Sequence, residues 1–146
     1  MKLAKRLNPI QLVLAILGSP GFATPTPPVA TIKKPVAIPA SPDPAIVEFL
    51  LASAQKEFKS SSPNRPTAIR NARIGFLHEG ATGNYLLCGS FKSGRGAAAK
   101  WTPFATIKTS DYEHWLGGAA KAFSSQKNIK WYPENYAPTL MQRLEE

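Results

Sequence analysis

AIRNARIGFLHE (68–79), NYLLCGSFKS (84–93) and KWTPFATIKT (100–109) decide how this chain folds. In the first stretch Ala72, Ile74 and Phe76 alternate with Asn71, Arg73 and Gly75, the period-two pattern of a strand with one wet face. In the second, Tyr85, Leu86, Leu87 and Cys88 run apolar without a break, as expected of a strand covered on both faces. In the third, Trp101, Phe104, Ala105 and Ile107 resume strand-like spacing, and Pro103 among them favours an edge or a bulge. Gly80 to Gly83 supplies the first turn, and KSGRGAAAK (92–100) reads as a flexible connection, since it lacks the order of a phosphate-binding loop. The expectation is a three-stranded antiparallel meander with the second stretch in the middle and the third at an edge.

Two helices are expected to flank it, giving an α+β domain. Asp43 can accept from the free N–H groups of a first turn, and Pro44 suits the first helical position. Ile46, Val47, Leu50, Leu51, Ala54 and Phe58 then recur at spacings of three and four, forming one apolar stripe. Ser60-Ser61-Ser62-Pro63 closes that helix. Farther on, Ser110-Asp111-Tyr112-Glu113 has the form of a capping box, and Tyr112, Trp115, Leu116, Ala119 and Phe123 fall on one helical face, with His114 and Lys121 opposite. Gly117 and Gly118 weaken this second helix by roughly 1 kcal/mol each. Beyond Ile129 the signals thin, though Pro138 can open a short final helix through Leu144.

The front of the chain reads differently. Lys2, Lys5 and Arg6, an apolar run from Ile10 to Leu17 and small residues ending at Ala23 make the three parts of a secretory signal, with cleavage after Ala23. The apolar run is shorter than the roughly 20 residues that span a bilayer. Residues 24–42 are dense in proline and favour extended polyproline II, the behaviour of a spacer. The expected organisation is therefore a signal peptide over 1–23, a linker over 24–42 and one small domain over 43–146, exported to the periplasm or beyond.

Composition excludes more than it selects. The 146 residues carry 18 basic and 9 acidic side chains, a net +9, which falls to +4 once Lys2, Lys5, Arg6, Lys33 and Lys34 are set aside. That bias is mild, and with no cluster of cations interleaved with aromatics it disfavours nucleic acid as a partner. Cys88 is the single cysteine, so no intrachain disulfide can form. With His78 and His114 the only histidines, neither a metal nor another cofactor is expected.

At Arg70-Asn71-Ala72-Arg73, Leu87-Cys88-Gly89 and Pro103-Phe104 the sequence resembles small exported bacterial domains of uncharacterised function. The resemblance covers about half the chain through short motifs. It implies a secreted α+β module in the order helix, Arg-Asn strand, Cys-Gly strand and Pro-Phe strand, and brings no reaction with it. Some such domains carry a second cysteine near the end of the last helix; Phe123, Ser124 and Ser125 occupy that region here.

Few residues offer chemistry. Cys88, mid-strand among Leu86, Leu87 and Phe91, reads as a small apolar filler. His114, on the polar face of the expected second helix, reads as a solvated histidine. Asp111 and Glu113 are explained by capping, and His78-Glu79 by a turn. If the strands pair as a meander, Arg73, Ser90, Lys92, Thr106 and Lys108 share one polar, basic sheet face. That face suits an anionic partner such as an acidic protein, an envelope polymer or a lipid headgroup, although a register slip of one residue would scramble it. The expectation is an exported, soluble, non-enzymatic module, the alternative being a small periplasmic enzyme that uses Cys88 or His114.

Overall fold

A computed structural model describes residues 36–61, 65–80, 82–94, 99–109 and 112–146. The expected signal peptide, the linker up to Lys34-Pro35, position 81 of the first turn, Arg95 to Ala98 of the long connection, and Ser110 and Asp111 of the capping box lie outside the described residues. Helix α1 spans Pro44–Ser60, and the Asp43 carboxylate accepts from the Ala45 N–H at 2.7 Å. Leu50, Leu51, Ala54 and Phe58 are buried along its stripe, and Ile46 and Val47 pack at its start. Helix, cap and stripe all stand where the sequence puts them.

The sheet is larger than expected. Strands β1 (Pro66–Glu79), β2 (Thr82–Ser93) and β3 (Thr102–Lys108) form the meander, and β4 (Tyr112–Leu116) and β5 (Ile129–Trp131) extend it on either side. All pairings are antiparallel and the order is β4-β3-β2-β1-β5. Strand β2 is the middle member, with Leu87 and Phe91 packed on one side and Leu86 and Cys88 on the other. Strand β3 is interior, because β4 covers the edge that Pro103 was expected to leave open. Pro103 pairs with Ser90 toward the end of the β2–β3 ladder, and its carbonyl accepts from Gly117 N–H at 2.9 Å.

The second expected helix is the main correction. Tyr112 to Leu116 is strand β4, and helix α2 occupies only Gly118–Ser124. Tyr and Trp suit a pleated, half-buried surface better than a helix, and the free edge of β3 supplied hydrogen bonds that an isolated turn could not. Gly117, at φ 64°, breaks the chain between strand and helix. This left-handed conformation costs glycine little and other residues much. A third helix, α3 (Ala137–Glu145), starts beside Pro138 and closes the chain. Among the described residues the fold is thus α+β with three helices and five strands, where two flanking helices and a three-stranded meander were expected.

Strand β5 shows why a glycine sits in β1. Gly75 pairs with Trp131, and a Cβ on Gly75 would fall 2.6 Å from Ile129 Cγ2 and 2.9 Å from Trp131 Cε3. Only a bare α-carbon lets those side chains cross. The chain then continues along β1, Tyr132 N–H donating to Ile74 O and Tyr136 N–H to Ala72 O.

The two sheet faces are covered unequally. Helices α1 and α3 close one side over Ala72, Ile74, Phe76, Leu87, Phe91 and Phe104, and Leu140 and Leu144 of α3 complete that core. On the other side Ala120 of short α2 packs with Leu77, Leu86, Cys88, Ala105 and Ile107. No helix among the described residues is long and apolar enough to cross a membrane.

Candidate functional site: a basic depression on the sheet

An irregularity in β1 builds the site. Arg70 lies opposite Ser90 and Arg73 opposite Cys88, so three steps along β1 match two along β2. This is a β-bulge, and Asn71 within it adopts φ 53°. Asn is among the few side chains that enter the left-handed region readily. The extra residue changes the phase of the strand: in strict alternation Arg70 and Arg73 would point to opposite faces, whereas here both join the side chains of Cys88 and Ser90. Gly89 on β2 makes room, since a Cβ there would meet the Ala72 backbone at 3.0 Å and the Phe104 ring at 2.8 Å.

The result is a depression of about 460 Å³ lined by Arg70, Asn71, Arg73, Ser90, Cys88 and Gly89, with Trp101 and Pro103 at one flank, Trp131 at another, and Lys121 and Ser124 reaching in from α2. Among the described residues it is lined by three cations and no carboxylate. The Arg70 guanidinium lies 4.1 Å from the Trp101 ring centre, Lys92 Nζ 5.1 Å from the same ring, and Arg73 5.6 Å from Trp131. Such contacts hold long side chains in place while leaving their N–H groups available. Among the described residues none of these four cations is ion-paired; the ion pair found there joins Arg143 to Glu48.

The five residues of the expected basic face do not all share it. Arg73, Ser90 and Lys92 stand on the open side. Thr106 and Lys108 stand on the opposite one, because β2 and β3 pair Cys88 with Ala105, and alternation then sends Thr106 and Lys108 with Phe104 toward α1. Thr106 is fully buried, and Lys108 Nζ sits 4.3 Å from the Phe49 ring of α1. The apolar run Phe104-Ala105 hides the parity of β3, which is why a register wrong by one residue was equally legible.

The two reactive side chains are also separated. Cys88 is buried at the base of the depression, and loss of solvent pushes its thiol up to about 12, which keeps it protonated. His114 is on β4 opposite Thr106, on the α1 side of the sheet. It is not the solvated helical histidine expected: its Nδ1 shares a 2.8 Å hydrogen bond with Thr106 Oγ1, its ring stacks on Phe104, and Phe58 meets it edge-on. Burial lowers its pKa, with Glu57 opposing weakly. Cys88 and His114 therefore do not meet.

Arg70, Asn71, Trp101, Lys121 and Trp131 were missed from sequence. Arg70-Asn71-Ala72-Arg73 did carry a signal: an Asn inside an apolar-alternating strand, where Ile69 and Ala72 are three apart, marks a bulge. Comparison with protein-family models, with curated proteins and with solved structures returned no match to this chain.

Proposed function

We propose that this chain is an exported, non-enzymatic binding module that meets an anionic partner through the open basic face of its sheet. The observation that carries this reading is the lining of the depression, where among the described residues Arg70, Arg73 and Lys121 converge with no acidic side chain beside them. Like charges gathered on a concave surface focus a positive potential and favour an anion. The export part rests on the basic, apolar and small-residue order of residues 1–23, and the spacer role of 24–42 on its proline content.

The test is adsorption of the full chain to immobilised polyanions of differing backbone, compared with the variant Arg70→Glu/Arg73→Glu. Salt-sensitive retention that the variant loses is expected; equal retention of both proteins would reject the face. Thiol chemistry at Cys88, the rival, predicts rapid labelling of the native protein. The binding reading expects slow labelling that becomes fast only after denaturation.

A further inference from the structure

The basic face has a repeat. Opposite β2, Arg73 stands at the level of Cys88 and Arg70 at the level of Ser90, and Lys92 is the next same-face residue of β2 itself. Measured along the strand direction, three cations thus occupy successive stations about 6.8 Å apart, with Lys92 set over by one strand spacing of about 4.8 Å. Trp101 and Trp131 hold them there, Arg70 and Lys92 on the first ring and Arg73 on the second. Without the bulge at Asn71, Arg70 would leave the row.

We infer that this row binds an extended acidic peptide segment in which Asp or Glu occupies every second residue. The inference rests on the anionic reading above and adds the spacing and class of the ligand. An extended peptide laid along the strands repeats its side chains at the same roughly 6.8 Å step, so alternate carboxylates reach successive cations while the intervening side chains face water. Each guanidinium, steadied by its indole, presents paired N–H donors matched to a carboxylate. Contiguous acids would send half their charges away from the row. Single-stranded nucleic acid fits less well, because base stacking uses aromatic faces, and the two indoles here already carry cations. Sugar polymers that stack on indoles meet the same obstacle.

The experiment uses the full chain and fluorescence polarisation. The probes are a labelled peptide of about eight residues alternating Asp and Thr, long enough to span the row, a peptide of the same composition with its Asp residues contiguous, oligothymidylate and oligogalacturonate. The alternating peptide should bind about fivefold or more tighter than its contiguous isomer, as expected from losing one or two exposed ion pairs. Arg70→Glu/Arg73→Glu should abolish that binding, whereas Lys127→Glu, an exposed lysine outside the depression, should leave it unchanged. Arg70→Gln/Arg73→Gln, with an unchanged thermal midpoint, guards against a folding defect and should also lose the preference. Equal or tighter binding of the contiguous peptide, the oligonucleotide or the oligogalacturonate, still lost in the charge-reversed variant, would overturn the peptide assignment and leave the anionic face standing. Indifference of every probe to charge reversal would overturn both.

Discussion

The side of the sheet beneath α1 and α3 and the side beneath α2 are built from the same strands, yet one is a closed core and the other a half-roofed basin. Phe58 of α1 packs edge-on against Phe91 and Phe104 at centroid distances of 5.0 and 5.1 Å, and polar groups at that side's rim find partners, Tyr112 OH donating to Glu57 Oε1 at 2.7 Å. Helix α2 has only seven residues and shelters Leu86, Cys88, Ala105 and Ile107 while Arg70 and Arg73 stay exposed. A two-layer domain needs one sealed face to be stable, and the second can then be given to charge. Stability and recognition should therefore respond to different substitutions.

The strongest way to break that comparison is truncation on each side. Phe58→Ala should cost about 3–5 kcal/mol, and half-buried Phe123→Ala of α2 clearly less than half as much, both read from denaturant unfolding. Equal losses would mean that the two faces contribute alike. Next comes the bulge: Asn71→Val should destabilise by about 1–3 kcal/mol because a β-branched residue resists positive φ, while Asn71→Gly should be close to neutral. A third effect is graded with pH. His114 has its pKa lowered by burial, so the unfolded chain binds the proton more readily. Stability from this group is fully present above the unfolded value near 6.5 and declines as acid carries the pH down toward the folded value. Unfolding midpoints measured across that window should flatten in His114→Gln. The smallest expected change is on the basic side, where Arg70→Glu/Arg73→Glu should alter stability by no more than about 0.5 kcal/mol while abolishing the proposed binding. A large loss there would show those arginines to be structural.

How much of this was legible in the sequence depended on whether a pattern was local. The α1 stripe and cap and the doubly covered β2 follow from spacing within a dozen residues, while α3 was marked only by the proline that opens it. Strands β4 and β5 do not, since Tyr112 to Leu116 satisfies a helical stripe as well as a strand, and Ile129-Lys130-Trp131 is too short to show any period. What selected them was the hydrogen-bonding edge of a distant strand, β3 for one and β1 for the other. Of the candidate site, Arg73, Ser90 and Lys92 were found because β1 and β2 alternate cleanly near them. Thr106 and Lys108 were misplaced by parity, and Arg70 was hidden because the bulge shifts its phase.

That bulge has a consequence for how the chain tolerates changes in length. Ile69 faces Phe91 on the sealed side, as do Ala72 and Ile74 beyond the bulge, so one extra residue keeps both halves of β1 in phase with the core. Deleting Asn71 would not merely shorten a strand; it would turn everything upstream to Pro66 inside out, driving Arg70 toward the phenylalanines and Ile69 into water. Frame-preserving losses of single codons should therefore survive in the connections and be purged at this position.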